Sequence, residues 1–266
     1  MPAPTDQEIL ALAKEYPYAI PADSFVVADG VVRSLDHAPS PGELASRHSV
    51  LAYGSNAAPE ALARKAAAPG FPRDEPLVLL AAVLHDHDVV FSAHLSPYGA
   101  VPATLQVSPG ARASVFVMLA TAAQLAAIER TEPNYELVRM EDPRIEIESQ
   151  AINPGPFAFL SRHGCLDVEG AEVALEAVPV AGRSLRAMGE PQALRQVASR
   201  FGEERDVDRF IVETARDPAL AARRTEVLRG LGHPFRGRAS PAAGPSVRSG
   251  GSAMSRGTGE RSTPGW

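Results

Sequence analysis

A turn of small residues separates a short apolar strand from a helix in the first quarter of the chain. The strand spans about residues 49–53, the turn is Tyr53-Gly54-Ser55-Asn56, and the helix spans about residues 58–66. Backbone N–H groups of such a turn, beside a helix N-terminus, can form a pocket for an anion. Gly54 would let a ligand approach the backbone closely. The same residues also suit an ordinary strand-to-helix turn, so the turn alone does not decide its role.

A glutamate at position 132 is the candidate proton acceptor. Thr121 and Gln124 have the spacing of a capping box, which predicts a helix that runs to about residue 130. Pro133 ends this helix and favours an extended conformation for Glu132. A carboxylate just beyond a helix C-terminus lies where the helix dipole disfavours its charge, which suits a general base. Alternatively, Glu132 is one of several solvated glutamates near the helix end.

These residues need a sheet and helices to hold them, and the sequence predicts such elements in its middle part. Apolar runs and alternating patterns predict eight strands. The strands span residues 49–53, 77–84, 87–93, 101–107, 112–119, 137–147, 156–161 and 171–178. Many strands with few helices between them predict an α+β fold, in which a mixed β-barrel or curled sheet is flanked by helices.

The chain divides into four predicted regions. Residues 1–46 form an N-terminal extension that starts with a short helix, and residues 47–180 form the core. Residues 181–235 change to helical spacing, which predicts C-terminal helices. Residues 236–266 are rich in Gly, Ser, Pro and Arg and contain little to bury, which predicts a disordered tail.

Charge and cysteine content limit the class of protein. The net charge is −6, whereas contacts with phosphates need clustered Lys and Arg, so we expect no nucleic acid partner. The longest apolar run, residues 77–84, is too short to cross a bilayer, and the N-terminus has no signal-peptide pattern, so we expect no membrane partner. The single cysteine, Cys165, fits a reducing compartment, and the expected location is the cytoplasm.

Taken together, three motifs resemble the gamma-glutamylcyclotransferase family. The first is the strand that ends in Tyr-Gly-Ser-Asn at residues 53–56. The second is the segment ATLQVSPGARASVFVML at residues 103–119, and the third is LAAIERTEPNY at residues 125–135. Their order, spacing and strand context agree with the family over roughly residues 47–180.

The resemblance implies a fold, a reaction and a set of site residues. The fold would be the gamma-glutamylcyclotransferase-like sheet, and the reaction would cyclise a γ-glutamyl group to 5-oxoproline and release an amine, amino acid or peptide. Glu132 matches the family's catalytic glutamate and would act as general acid and base. The residues implied to bind the substrate are Tyr53, Gly54, Ser55, Asn56 and Tyr135. The partner is a small γ-glutamyl molecule, no metal or other cofactor is expected, and the oligomeric state is not indicated.

The chain departs from the family pattern at three positions. Ala57 stands where leucine is common after the first motif, and Pro133 replaces the glycine that commonly follows the catalytic glutamate. Phe159 occupies a position where some family members have an aromatic hydroxyl group. These differences bear on the identity of the substrate more than on the fold.

Three alternatives compete with this interpretation. His85, His87 and His94 form a candidate metal site, because the first two share one face of a predicted strand. Ser55 or Cys165 are candidate nucleophiles of a hydrolase, although neither has an assignable base and the first lacks the Gly-x-Ser-x-Gly context. Finally, the same fold can serve as a non-catalytic small-molecule or protein-binding module.

Overall fold

The computed structural model describes residues 3–147 and 155–242, which form an α+β fold with one large mixed sheet. Seven α-helices lie within this part of the chain. They are α1 Asp6–Lys14, α2 Pro41–Ser46, α3 Pro59–Ala67, α4 Ala122–Glu129, α5 Glu190–Ser199, α6 Val207–Arg216 and α7 Pro218–Arg229. None of these helices in the described residues is both long and apolar enough to span a membrane.

Twelve of the fourteen described strands belong to the large sheet, and β9 and β10 form a separate pair. The strands are β1 Phe25–Ala28, β2 Val31–Ser34, β3 His48–Ala52, β4 Leu77–Phe91, β5 Ala103–Ala120, β6 Tyr135–Met140, β7 Ile145–Ile147, β8 Phe157–Ser161, β9 Asp167–Val168, β10 Ala171–Glu172, β11 Ala174–Leu175, β12 Val180–Ala181, β13 Ala187–Met188 and β14 Ala239–Pro241.

The sheet is open and mixed. Its main path runs β13-β11-β4-β5-β3-β8-β6-β14, with β3–β8 and β11–β13 parallel and the other pairs antiparallel. Among the described residues, no pairing joins β13 to β14 at the two ends. The prediction of an α+β fold with a mixed sheet is therefore confirmed, whereas a closed barrel is wrong for this chain.

Strand β3 has core on both of its faces, and this sets the direction of the residues that follow it. Val50 and Ala52 belong to one apolar cluster, whereas Leu51 and Tyr53 belong to the other, as the two-residue period of a strand requires. All four are nearly inaccessible to solvent. The side chain of Tyr53 therefore points to the face of the sheet that carries the candidate site.

Two long strands replace four of the predicted ones. The predicted strands 77–84 and 87–93 are one strand, β4, and those at 101–107 and 112–119 are one strand, β5. The expected break at Asp86 is a bulge with φ of 56°, and its Oδ1 accepts a hydrogen bond from the N–H of Gly110 at 2.8 Å. The two irregular segments face each other, so pairing continues on both sides of them.

The regions at the two ends of the chain contribute to the same sheet. Within the predicted extension 1–46, β1 pairs with both β2 and β4. Residues 236–242 were predicted to start the disordered tail, but Ala239–Pro241 forms β14 on the edge of β6. An ion pair between Arg236 and the buried Glu172 holds the start of this segment against the fold, just before β14. Residues 243–266, the rest of the predicted tail, lie outside the described residues.

A buried carboxyl group stands at the start of the C-terminal helices. Glu190 begins α5 and has 2% exposure, and its Oε1 accepts a hydrogen bond from the N–H of Val101 at 2.7 Å. Burial raises the pKa of Glu190 well above its ordinary value, and the Val101 hydrogen bond opposes this shift only in part. The folded protein therefore holds the proton of this carboxyl group to a higher pH than the unfolded chain does.

Replacing Glu190 with glutamine should make stability less dependent on pH. In the unfolded chain this carboxyl group loses its proton near pH 4.5, whereas the folded protein retains it. The unfolded state thus binds fewer protons, and the free energy of unfolding falls by about 1.4 kcal/mol for each pH unit in that window. Urea unfolding from about pH 5 to about pH 7 should show the Glu190→Gln variant gaining stability over the wild type as pH rises. A difference that stays constant with pH would contradict this, and the exposed Glu60→Gln is the matched control.

Candidate active site

A small cavity opens where β3 ends, and it brings the two sequence motifs together. Its volume is about 100 Å³. Of the predicted site residues, Tyr53, Ser55, Asn56, Glu132 and Tyr135 line it. Gly54 is not a lining residue, although its neighbours on both sides are. Residues 79 positions apart in the sequence, 53 and 132, thus face one space.

The turn after β3 depends on glycine at position 54. Residues Gly54–Ala57 form a single 3₁₀ turn, and Gly54 has φ of +59°. A Cβ atom there would collide with the hydroxyl group of Tyr16 and lie 3.1 Å from Cβ of Ala103. The positive φ and the missing side chain together allow the turn to fold tightly against these two residues.

Helix α4 and the turns that follow it place Glu132 in the wall of the cavity. The capping box of Thr121 and Gln124 is present, as predicted, and the helix ends at Glu129. The N–H of Thr131 then bonds to the carbonyl of Ile128, and the N–H of Glu132 bonds to the carbonyl of Glu129 at 3.0 Å. These turns carry the chain around, so that Glu132 lies between the helix and the start of β6.

Lys65 joins the turn to Glu132. Its Nζ lies 2.6 Å from Oε1 of Glu132 and 2.8 Å from Oδ1 of Asn56. Asn56 in turn donates from Nδ2 to the same Oε1 at 3.0 Å. The side chains of Lys65 and Glu132 are 20% and 12% exposed. Oε1 therefore has two donors, while no described residue donates to Oε2.

Tyrosine hydroxyl groups fix the walls of the cavity. Tyr53 donates to the carbonyl of Phe159 on β8, which ties the end of β3 to its parallel neighbour. Tyr135 donates to the carbonyl of Ala103 at 2.8 Å, and the N–H of Ala103 donates to the hydroxyl oxygen of Tyr16, also at 2.8 Å. The main-chain N–H and C=O groups of Ala103, at the start of β5, thus hold the hydroxyl groups of two tyrosines.

These tyrosines are donors or acceptors of hydrogen bonds and not bases. Burial raises the pKa of Tyr16, Tyr53, Tyr98 and Tyr135 far above the ordinary value, and nearby negative charge, including that of Glu132, adds to the effect. All four keep their protons near neutral pH. Four of the five tyrosines in the chain line this one cavity.

His94 is a neutral member of the cavity wall. Burial lowers the pKa of His94 well below its ordinary value, and the neighbouring His163 acts in the same direction. Ser92 donates its hydroxyl hydrogen to Oγ of Ser161 at 2.6 Å. Nδ1 of His94 lies 2.6 Å from Oγ of Ser92, and the donor in this hydrogen bond depends on the tautomer of the ring.

The three histidines of the metal hypothesis have different surroundings. Nε2 of His85 lies 2.8 Å from Glu146, and the His87 ring stacks on Phe235, whereas His94 lines the cavity. In residues 3–147 and 155–242, no group of three or more His, Cys, Asp or Glu side chains has a geometry that could hold a metal ion. The structure therefore gives the metal hypothesis no site in this part of the chain.

The candidate nucleophiles lack an activating neighbour. Burial raises the pKa of the Cys165 thiol to about 12, and the charge of Glu172 also raises it, so the thiolate is scarce near neutral pH. Ser55 lines the cavity, but no titratable side chain of the described residues is hydrogen-bonded to its hydroxyl group. A hydrolase based on either residue is therefore disfavoured.

Sequence reasoning missed Lys65, Tyr16 and Tyr98 and considered His94 only as a metal ligand. One signal for Lys65 was available, since the chain has 24 arginines and two lysines, Lys14 and Lys65. In so arginine-rich a chain, a lysine next to the turn is unusual, and its compact ammonium group suits contacts with two different acceptors. Tyr16 gave no such signal, because its contact with the turn is long-range.

Comparison with family models, with curated proteins and with solved structures found no match to this chain.

Proposed function

We propose that this protein is a gamma-glutamylcyclotransferase-like enzyme that releases 5-oxoproline from a γ-glutamyl amino acid, amine or peptide. The observation that carries the proposal is the hydrogen bond from Nδ2 of Asn56 to Oε1 of Glu132, 3.0 Å long, at the wall of one cavity. It joins the small-residue turn to the acidic motif, the two motifs on which the reaction depends. The family-specific fold and the cytoplasmic location are parts of the same proposal.

Glu132 begins the reaction as the proton acceptor. The α-ammonium group of the substrate gives one proton to Oε2 of Glu132, and the resulting amine attacks the γ-carbonyl carbon. The new C–N bond closes a five-membered ring, and the carbonyl π electrons move to oxygen. Because the attack is intramolecular, the cavity accelerates it mainly by holding the glutamyl chain folded.

The second half of the reaction returns protons to the leaving nitrogen. The electron pair on oxygen re-forms the carbonyl group, the bond to the leaving nitrogen breaks, and protonated Glu132 donates its proton to that nitrogen. In total, two protons leave the α-nitrogen and two reach the released amine, which departs as an ammonium ion. Glu132 holds one proton at a time, and the second moves by a repeat of the same transfer or through water.

The size of the cavity predicts where specificity lies. Its volume of about 100 Å³ is well below the roughly 300–1,000 Å³ of usual ligand pockets. It suits the glutamyl chain and leaves the released amine outside. Among γ-glutamyl dipeptides, glutathione and γ-glutamylamines, kcat/KM should therefore differ by about tenfold or less. A δ-(α-aminoadipyl) amide, one methylene longer and still able to cyclise, should be slower by about 10–200-fold.

The experiment that tests the function is incubation of the purified protein with this panel and measurement of 5-oxoproline. Release from any γ-glutamyl member supports the proposal. If no member yields 5-oxoproline while the protein is folded, the proposed function is wrong. Equal rates with the aminoadipyl compound would instead contradict only the size argument.

One observation favours a non-catalytic binding module as the second candidate. Oε1 of Glu132 already accepts hydrogen bonds from Lys65 and Asn56, as a purely structural carboxylate would. Such a module would bind γ-glutamyl compounds without releasing 5-oxoproline. Isothermal titration with the same panel, run beside the assay, separates the two candidates.

A further inference from the structure

Tyr16 is a cavity residue that neither motif contains. It follows α1 in the N-terminal region, is 5% exposed, and lines the cavity with Ser55 and Glu132. Its hydroxyl oxygen accepts a hydrogen bond from the N–H of Ala103 at 2.8 Å. The turn lies directly against the same oxygen, because a Cβ atom on Gly54 would collide with it.

The phenol thus stands where the turn was expected to receive an anion. A tyrosine hydroxyl group has one hydrogen to donate and an oxygen that accepts. In Tyr16 the oxygen accepts a hydrogen bond from the N–H of Ala103, and no described residue accepts its hydrogen. A hydroxyl group that accepts hydrogen bonds becomes a stronger donor, because chains of hydrogen bonds polarise one another.

We propose that Tyr16 is a catalytic residue whose hydroxyl group donates a hydrogen bond to the substrate's γ-carbonyl oxygen as negative charge develops on it. This role rests on the proposed cyclotransferase function. In this arrangement Tyr16, which lies against the turn and lines the cavity, donates to the carbonyl oxygen in place of the turn's own amides. No proton is transferred from Tyr16: the hydrogen bond strengthens while the carbonyl electrons are on oxygen and weakens when the carbonyl re-forms.

Three features of the site support this role. Gly54 has no side chain where the hydroxyl group lies, so the turn leaves room for it. Burial raises the pKa of Tyr16 far above its ordinary value, so that the donor keeps its proton at neutral pH. Tyr16 and Glu132 line the same cavity, so the donor and the proton acceptor face one space. An acceptor for the ammonium proton and a donor for the carbonyl oxygen are the two groups that ring closure requires.

The test is the Tyr16→Phe variant assayed for 5-oxoproline with the best substrate of the wild type. Loss of one donor to an oxyanion lowers kcat by about 10²–10³-fold, and we expect that loss with little change in KM. Tyr18→Phe is the matched control, because it removes a hydroxyl group two residues away that donates to the carbonyl of Leu12 and lies outside the cavity lining. Circular dichroism and thermal unfolding of both variants check the fold.

Three results of this assay would overturn the proposed role of Tyr16. A Tyr16→Phe kcat equal to that of the wild type, a rise in KM alone, or a faster variant would exclude a donor that acts in the transition state. If Tyr16→Phe does not fold, replacement of Tyr16 by 3-fluorotyrosine keeps the hydroxyl group and makes it more acidic. An increased kcat then supports the role, and an unchanged kcat overturns it. A folded wild type that releases no 5-oxoproline overturns the proposed function itself, so the two failures are distinguishable.

Discussion

Replacing Glu132 with glutamine should lower 5-oxoproline release by about 10²–10⁴-fold, the usual contribution of a positioned general acid or base. Glutamine has nearly the same shape, and its carbonyl oxygen can still accept hydrogen bonds from Lys65 and Asn56, as Oε1 of Glu132 does. It cannot take a proton from an ammonium group. The measurement is kcat and kcat/KM with the best γ-glutamyl substrate, together with the thermal midpoint.

Glu129→Gln is the control for this prediction. Glu129 is the last residue of α4, is exposed, and does not line the cavity. The Glu129→Gln substitution removes the same charge three positions away from Glu132 and should leave the rate unchanged. If Glu132→Gln turned over substrate as fast as Glu129→Gln, Glu132 would be a structural carboxylate held by Lys65 and Asn56 and not the proton acceptor.

The second large effect is expected for Lys65. Replacing Lys65 with methionine keeps an unbranched side chain one atom shorter and removes two hydrogen bonds, one to Glu132 and one to Asn56. Both partners then gain freedom to rotate. Because small displacements of a reacting group can reduce rates about 10²-fold, we expect kcat/KM to fall by about that factor, mainly through kcat. Lys65 acts through Glu132, so it is a positioning residue.

Two further variants separate positioning from a general effect of charge. Lys65→Arg restores a cation and should recover part of kcat, which a purely structural loss would not predict. Lys14→Met changes the only other lysine, whose Nζ lies 2.5 Å from Asp208 on the surface, and should leave kcat unchanged. Lys65→Met with the kinetics of Lys14→Met would contradict the prediction.

Local patterns predicted much of the fold because local interactions determine those parts. The capping box at Thr121 starts α4 as expected, and the pattern of residues 181–235 predicted helices where α5, α6 and α7 lie. The apolar strand before Tyr53 was also correct to within one residue. In each case hydrogen bonds or apolar periodicity within about ten residues contain the information.

The rest depends on contacts between distant residues, and no local pattern predicts them. Asp86 and Ser108-Pro109-Gly110 have the composition of turns, yet the pairing of β4 with β5 keeps both strands continuous through them. The bond between Lys65 and Glu132 joins residues 67 positions apart, and the bond between Tyr16 and Ala103 joins residues 87 positions apart. Sequence reasoning could name Glu132 and Asn56 from their motifs but could not name Lys65 or Tyr16.

Ala103 uses both of its main-chain polar groups on tyrosines, one from the N-terminal region and one from β6. The boundary at residue 47, drawn from composition, therefore cuts through the wall of the cavity. A shortened fragment that begins at β3 would retain every residue of the recognised motifs and still lose Tyr16. Without Tyr16, the N–H of Ala103 would be open to water or ligand, so such a fragment would have an altered candidate site and could not replace the whole chain in an assay.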